Sequence, residues 1–445
     1  MNNPLIAPED WAQHITIVGG TGQGKSVLLA NMISDTLQAE AGMCLIDPHG
    51  TLANTALTLI PPHRHRQVVF LNMADLERPV GLSFMSEVPE EKRFKVAEDI
   101  VATFVHIWGR EAVGDRSQWV LRNALRAVMD HGGTLLCVPK FLTNKRYRQK
   151  VLKVCQDQQV KAVWDEVFAS YTPGKEDDVI SPILNKLDAL LVPPLRNILG
   201  QPQATIDIRK MMDEGRILIV SLQKGMIGEL PARFLGALIV AHIANKAFER
   251  ADLLARGATP RPFYLFADEF HNFVSGDFET ILSETRKYGL FFRLANQYPG
   301  QLDRRLHEGI LTNCDTKVTF RCSPEAAEAL APIFGLHTPV LVNDHAGTDF
   351  CDEGLHTPRV LTETPKYQAW VRTTAGIHVS KPRLLRMTPP PEPANERVAE
   401  IVADSRTRFG RSRAEVEYRI SAFLRSHPKV KRRRPVDADW EPKAE

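Results

Sequence analysis

Short apolar runs alternate with stretches of helical periodicity from the start of the chain. Residues 15–18 form an apolar run, a glycine-rich turn follows, and a helical pattern then begins at Lys25. The same reading predicts six further buried strands at residues 43–46, 68–71, 217–222, 263–267, 290–295 and 318–320. Strands that alternate with helices predict βαβ units and a mainly parallel twisted sheet, so the fold class is α/β.

Two segments depart from this alternation. Residues 87–207 contain few β-rich runs, and apolar residues recur there at helical spacing, as in Ile180, Ile183, Leu187 and Leu191. This pattern predicts an all-α insertion at 87–207 that splits an α/β domain formed by 1–86 and 208–382. Beyond it, 383–445 is predicted as a proline-rich linker at 388–393 followed by a basic tail that is helical or disordered.

Composition excludes several classes of protein but does not select a function. Apolar residues make up 43% and charged residues 24%, which is typical of a globular protein rather than a disordered or collagenous one. The charge is uneven, since residues 381–445 hold 16 Lys and Arg against 10 Asp and Glu. A basic tail is consistent with contact to nucleic acid or with a solvated end.

A glycine-rich segment between the first strand and the first helix matches the phosphate-binding pattern G-x-x-x-x-G-K-[ST]. The segment consists of Gly19, Gly20, Thr21, Gly22, Gln23, Gly24, Lys25 and Ser26. Glycines let backbone N–H groups turn toward a polyphosphate, and the helix directs its positive end at the same charge. Lys25 is predicted to reach the β- and γ-phosphates, and the Ser26 hydroxyl to bind Mg²⁺.

Two adjacent carboxylates end the apolar run at 263–267. Asp268 and Glu269 are expected at the carboxyl edge of the sheet, where α/β folds bind ligands. Asp268 is predicted to hold the Mg²⁺ shell through water, and Glu269 to orient or deprotonate the attacking water. The next strand ends at Gln297, whose amide is predicted to contact the γ-phosphate and this water, or else to cap a turn.

Two short segments match sequence motifs of GTPases. Residues 47–50 fit D-x-x-G, and residues 185–188 fit the guanine-reading N-K-x-D. Only one helix and one strand fit between Lys25 and Asp47, however, and 185–188 lies inside a predicted helix rather than at a strand end. The sequence therefore favours ATP as the nucleotide.

Taken together, the motifs resemble the conjugative coupling ATPases of type IV secretion, within the DNA-pumping FtsK–HerA superfamily. The resemblance spans most of residues 12–335 and is carried by GGTGQGKS, LIDPHG, FADEF, SETRKYGLFFRLANQYPGQL and ILTNCDTKVTFRCSPEAAEAL. It implies a RecA-like motor domain in a homo-oligomeric, hexameric ring with ATP between subunits. It also implies Arg286 as an arginine finger on the neighbour's ATP, with Arg321 as the rival candidate.

These points predict Mg²⁺-dependent ATP hydrolysis that drives translocation of single- or double-stranded DNA. Family members pump DNA toward a secretion channel, so a relaxase or channel component is an expected partner. No membrane span is predicted, and the expected location is cytoplasmic, or peripheral at the inner face of a bacterial membrane. Two alternatives stay open: a protein-remodelling or secretion ATPase that DNA does not stimulate, and a cargo-recruiting adaptor in which ATP only holds the ring together.

Overall fold

The computed structural model describes residues 12–85, 88–274, 278–336, 358–375 and 378–426. The chain divides into two compact units. The first contains residues 1–72, 208–225 and 239–405, and the second contains 73–207, 226–238 and 406–445. The basic run predicted at 429–434 lies outside the described residues.

Ten strands and nineteen α-helices are found along the described residues. The strands are β1 (Ile15–Val18), β2 (Gly42–Asp47), β3 (Val68–Asn72), β4 (Ile217–Ser221), β5 (Phe263–Ala267), β6 (Leu290–Asn296), β7 (Thr316–Thr319), β8 (Gln368–Ala375), β9 (His378–Val379) and β10 (Arg383–Arg386). The helices are α1 (Lys25–Gln38), α2 (Thr51–Thr58), α3 (Arg93–Trp108), α4 (Asp115–Asp130), α5 (Cys137–Thr143), α6 (Lys145–Leu152), α7 (Gln158–Ala162), α8 (Pro173–Leu190), α9 (Pro193–Leu199), α10 (Ile208–Glu214), α11 (Lys224–Ile227), α12 (Glu229–Phe248), α13 (Ala251–Ala255), α14 (Phe278–Thr285), α15 (Arg304–Asn313), α16 (Pro324–Leu330), α17 (Arg359–Thr362), α18 (Val398–Phe409) and α19 (Arg413–Ser426).

The first unit is built on one twisted sheet with the strand order β10-β8-β7-β1-β6-β5-β2-β4-β3, and β9 also pairs with β8. The seven strands from β7 to β3 in this order run parallel. The pairings of β8 with β7, β9 and β10 are antiparallel. This is the predicted α/β fold with a mainly parallel sheet, and the prediction is confirmed.

Burial explains why the central strands read as continuous apolar runs rather than as alternating ones. Every residue of β1, β2, β4, β5 and β6 is buried. Parallel strands covered on both faces need apolar side chains at successive positions. Helix α1 contributes Leu28, Leu29 and Ile33 to the core on one of these faces.

The regular elements among the described residues of the second unit are helices, apart from an isolated β-bridge between Val80 and Gly410. Rings of Phe141 and Trp164 meet edge to face, with centroids 4.7 Å apart. Lys145 and Arg146 of α6 are exposed, whereas Tyr147 is buried. The Arg148 guanidinium donates to the carbonyl of Leu142 and lies over the Phe168 ring. Arg148 therefore takes part in packing within this unit.

The sequence reading missed the strands that follow residue 358. In β8, Ala369, Val371 and Thr373 are buried, and they alternate with less buried residues. This half-buried alternation is a weaker signal than the apolar runs of the central strands. The tail that was predicted as helical or disordered forms two helices, α18 and α19, over its described residues. They are separated at Gly410, where a Cβ atom would lie only 2.7 Å from the Arg78 carbonyl oxygen.

Within the part of the chain that the structure describes, no helix combines the length and apolarity needed to cross a bilayer.

Candidate nucleotide-binding site

The predicted phosphate loop joins β1 to α1 at the carboxyl edge of the sheet. Two neighbouring strands hold its first residues, since the Gly19 amide donates to the Asn296 carbonyl (3.3 Å) and the Gly20 amide to the Arg321 carbonyl (3.0 Å). Strand β1 lies between β6 and β7, so the loop is fixed from both sides. This is the edge at which open α/β sheets bind ligands.

Two glycines of the loop are required by its geometry. A Cβ atom at Gly19 would lie 2.5 Å from the Cβ atom of Phe320, too close for any other residue. Gly24 has φ of +124°, a backbone conformation that side chains disfavour. It caps α1, whose first-turn N–H groups are the donors that a phosphate group needs.

Lys25 is the cation of the loop. Its ammonium group donates to the carbonyls of Gly19 (2.7 Å) and Gly20 (3.1 Å), so it lies across the loop. Burial lowers the pKa of Lys25, and the nearby carboxylates of Asp268 and Glu269 oppose that shift. A phosphate would compete with two neutral carbonyls for this cation, and its charge makes it the stronger acceptor.

Asp268 follows β5 and shares its surroundings with Asp47, the last residue of β2. Burial, followed by the charge of Asp47, raises the pKa of Asp268 to about 6, while Lys25 acts in the opposite direction. Asp47 is itself occupied, because its carboxylate accepts from the amides of His49 and Ala53, both at 2.8 Å. Asp268 therefore lies near both a second carboxylate, Asp47, and the cation of the loop, Lys25.

Glu269 is the most heavily bonded acid of the site. Its carboxylate accepts from Lys224 Nζ (2.8 Å) and Gln297 Nε2 (3.1 Å), and His49 Nε2 lies 3.3 Å away. Burial alone would raise the pKa of Glu269, but the hydrogen bonds from Lys224 and His49 hold it below its ordinary value. Glu269 is therefore ionised at neutral pH.

The backbone at Glu269 is also unusual. Its φ of +48° lies in the left-handed region, where residues other than glycine are uncommon. The Asn272 side-chain amide donates to the Glu269 carbonyl at 3.0 Å and reinforces this turn. The conformation directs the carboxylate toward Gln297 at the end of the neighbouring strand β6, and such strain is concentrated at functional sites.

The structure brings together Lys25, Asp268, Glu269 and Gln297, as the motifs predicted. Sequence reasoning missed two neighbours of Glu269, namely the Lys224 ammonium group and the His49 imidazole. Both follow the ends of parallel strands at this edge, Lys224 after β4 and His49 after β2. Their position directly after a buried parallel strand could have placed both residues at this edge of the sheet.

The two candidate arginines lie at opposite edges of the sheet. Arg321 is exposed directly after β7, at the edge of the phosphate loop. Arg286 precedes β6 and forms an ion pair with Asp315, which precedes β7. The seven residues of β6 span about 23 Å, so Arg286 cannot reach the phosphate loop of its own chain.

The fragments that imitate a GTPase have other roles. Asp47 binds the amide of Ala53 in the first turn of α2. Residues 185–188 lie within helix α8, where Leu187 is buried. Residues 185–188 therefore do not lie at a strand end, where a guanine-reading segment is expected.

The donor set suits Mg²⁺ bound together with a nucleotide. Among the residues that the structure describes, no group of three or more His, Cys, Asp and Glu side chains is arranged to hold a metal ion. The Ser26 hydroxyl, next to Lys25 in the chain, and the Asp268 carboxylate, near Lys25 in space, are hard oxygen donors. Mg²⁺ is commonly held by one or two such groups, with phosphates and water completing the shell.

Two family models match the chain. "Helicase HerA, central domain" matches residues 4–242, more than half of the chain. "TraM recognition site of TraD and TraG" matches residues 262–353, of which 337–353 lie outside the described residues. No curated protein matches the chain in sequence.

Solved structures share the fold over most of the chain. The unbound bacterial conjugative coupling protein TrwBdeltaN70 aligns with a TM-score of 0.64 at 17% identity, covering 87% of this chain and 88% of that one. The plasmid coupling protein TrwB with ADP and Mg²⁺ aligns at 0.60 and 15%, covering 87% and 89%. VirB4 of Thermoanaerobacter pseudethanolicus aligns at 0.50 and 13%, covering 85% and 90%.

These matches agree with the motifs and with the site. The HerA model includes the phosphate loop, and the TraD and TraG model includes Asp268, Glu269 and Gln297. The resemblance found in the sequence is confirmed. The chain belongs to the family of HerA helicase central domains, as a TraG/TraD-like member of the FtsK–HerA superfamily of P-loop ATPases.

Proposed function

We propose that the protein is a Mg²⁺-dependent ATPase that drives DNA translocation as a coupling protein in conjugative transfer. One observation carries the proposal. Lys25, Asp268, Glu269 and Gln297 come from three separate segments and converge at one edge of the sheet, beside a loop in which Gly19 and Gly24 are required by the geometry. This is the arrangement that phosphoryl transfer from a nucleoside triphosphate needs.

The catalytic task is to stabilise charge on the transferring phosphoryl group. Lys25 releases the carbonyls of Gly19 and Gly20 and binds β- and γ-phosphate oxygens. The amides of the loop and of the first turn of α1 bind the same phosphates. Mg²⁺, held by Ser26 and through water by Asp268, supplies further positive charge at the β- and γ-phosphates when bound.

Water activation falls to Glu269. The carboxylate is ionised, and it accepts a hydrogen bond from the attacking water and orients it in line with the γ-phosphate. Four neighbours already contact its two oxygens, namely Lys224, His49, Gln297 and the Asn272 amide, so one of these contacts has to give way to water. Gln297 is the partner suited to contact water and γ-phosphate together, since its amide both donates and accepts.

The assembly is proposed to be a homo-oligomeric, hexameric ring. Arg286 lies about one strand length from its own phosphate loop, so it can act only on the ATP of a neighbouring subunit. Its guanidinium would exchange Asp315 for the γ-phosphate of that ATP. Arg321 remains the rival for this role within the same subunit, because it is exposed at the correct edge.

DNA is the proposed substrate of the motor, and its strandedness is left open. The TraD and TraG segment favours a relaxase-bound complex or a secretion-channel component as partner. The proposed location is the cytoplasm, or the inner face of a bacterial membrane through these partners.

The test is steady-state hydrolysis of ATP and GTP by the full chain, with and without single- or double-stranded DNA. We expect DNA to raise the turnover of the wild-type protein and Lys25→Ala to abolish it. Turnover that depends on Lys25 and is unchanged by DNA would instead favour protein remodelling or secretion. Nucleotide binding without Lys25-dependent turnover would favour an adaptor.

A further inference from the structure

Tyr367 is a half-exposed aromatic residue placed against the phosphate loop. It immediately precedes β8, and 46% of its surface is exposed. A Cβ atom at Gly24 would lie 3.3 Å from Cδ1 of the Tyr367 ring. The Tyr367 amide also donates to the Gln23 carbonyl at 3.2 Å, so backbone and ring both adjoin the loop.

The backbone holds this ring in place at an unfavourable conformation. Tyr367 has φ of +62°, which for a bulky residue is a genuine outlier. Its carbonyl accepts from the Met387 amide at 2.9 Å, so contacts on both sides impose the conformation. A residue held in this way, with its ring left partly in solvent, resembles those that form ligand contacts.

The ring stands on the flank of the loop opposite the hydrolytic residues. In the order β8-β7-β1-β6-β5, Glu269 and Gln297 follow β5 and β6, on one side of β1. Tyr367 begins β8, on the other side. Strand β8 runs antiparallel to β7, so its first residues lie at the carboxyl edge of the sheet, with the loop.

We infer that Tyr367 is the stacking platform for the base of the bound nucleotide, an inference that rests on the proposed function of the same loop. The γ-phosphate is directed to Glu269 and Gln297. The remainder of an extended nucleotide therefore leaves the loop toward β7 and β8. There the Tyr367 ring offers an apolar face with a polar tip, which suits an aromatic base beside water.

The chemical class of ligand follows from the kind of contact. Every base has a π-face, so stacking on a ring tolerates different bases. Lys366 Nζ lies over one face of the same ring, 4.9 Å from its centre, so a base would stack on the opposite face. Tyr367 accordingly accepts nucleoside triphosphates through their aromatic base and contributes equally to the binding of ATP and GTP.

The test compares ligands with and without a base. Equilibrium binding of ATP, GTP and inorganic tripolyphosphate is measured for the wild type and for Tyr367→Asn, because asparagine tolerates the left-handed backbone but has no ring. We expect Tyr367→Asn to weaken ATP and GTP binding about 5- to 100-fold and to leave tripolyphosphate binding within about twofold. Tyr367→Phe keeps the ring and is expected to bind like the wild type.

Two results would overturn the inference: unchanged ATP binding in Tyr367→Asn, or an equal loss for ATP and tripolyphosphate, which would mean that the residue only shapes the loop. Tyr418→Ala, at a residue 70% exposed in the second unit, is the matched control for removal of a tyrosine ring. Failure of the proposed function is separate, because a wild-type protein lacking Lys25-dependent binding of tripolyphosphate would have no phosphate site at all.

Discussion

The two edges of the sheet in the first unit use charged residues in different ways. At the carboxyl edge, Lys25, Lys224, Asp268 and Glu269 face one another around the phosphate loop. At the amino edge, Arg64 donates to the carbonyls of Leu37, Ala41 and Gly215 at distances from 2.8 to 3.1 Å. The carboxyl edge therefore places opposite charges where a phosphate would lie. At the amino edge, cationic side chains donate hydrogen bonds to backbone carbonyls.

Arg250 shows the amino-edge use most clearly. It is fully buried and donates to the carbonyls of Arg261 (2.9 Å) and Tyr288 (3.0 Å), which precede β5 and β6. Its Nε donates to Asp213 at 2.9 Å. Carbonyls that would otherwise lack partners at the ends of these connections are thereby satisfied. The two uses of charged residues are therefore separated by position relative to the direction of the strands.

Arg286 is the exception to this division between a carboxyl edge that serves the site and an amino edge that serves the fold. It lies at the amino edge but is proposed to act in catalysis. We expect Arg286→Ala to lower the turnover of the assembled protein by about 10³-fold or more, as loss of an arginine finger does. Asp315→Ala removes the same ion pair but keeps the guanidinium, so its turnover should stay near that of the wild type. Equal turnover in both variants would assign Arg286 to structure alone.

Glu269→Gln tests the carboxyl edge. Turnover should fall by about 10²- to 10⁴-fold, because the amide is not a base and orients water less strongly. Affinity for ATP should persist, since Lys25 and the loop are unchanged. Steady-state hydrolysis and equilibrium binding measure the two quantities separately, and persistent hydrolysis would show that another group handles the water.

Asp213→Ala tests the amino edge through stability. Buried Arg250 would lose its carboxylate partner, and we expect the free energy of unfolding to fall by about 3 kcal/mol. Asp252→Ala is the control, because Asp252 is an exposed carboxylate that pairs with Arg209, and its loss should cost much less stability. Chemical denaturation reports both values; similar losses would mean that burial of Arg250 does not matter.

His14, just before β1, predicts a pH dependence of stability. Its Nε2 contacts the Leu282 carbonyl (2.8 Å), its Nδ1 accepts from the Phe292 amide (3.0 Å), and burial lowers its pKa to about 3. Below pH 6.5 the unfolded chain binds a proton that the folded chain excludes. Stability contributed by His14 is therefore present above pH 6.5 and is lost progressively as the pH falls toward 3.

The expected slope is about 1.4 kcal/mol per pH unit in that window. Denaturation of the wild type and of His14→Gln across pH 4 to 7 should show a shallower slope for the variant, although the variant is less stable at neutral pH. Parallel slopes for the wild type and His14→Gln would rule out His14 as the source.

The sequence predicted the carboxyl edge far better than the amino edge, for a physical reason. Lys25 and Asp268 belong to short motifs whose spacing follows from phosphate and metal geometry. Arg64 and Arg250 meet carbonyls up to 151 positions away in the chain, and no local pattern records such contacts. For Lys224, the sequence could predict its position after β4. It could not predict the hydrogen bond to Glu269.

The same reasoning applies to the fold. The central strands were found because burial on both faces demands apolar runs, as in β5. The antiparallel strands β8 and β10 lack such runs; in β10, for example, Arg383 and Arg386 are exposed. Tyr367 was missed with them, because its importance comes from the tertiary contact with Gly24 rather than from a motif.

Turnover of Lys25→Ala, measured beside its melting temperature, decides whether the carboxyl edge is a site of ATP hydrolysis. We expect ATP turnover to fall at least about 100-fold. The melting temperature without nucleotide should stay within a few degrees of the wild type, while stabilisation by ADP is lost. Turnover near that of the wild type in a folded Lys25→Ala protein would show that the carboxyl edge is not the site of hydrolysis.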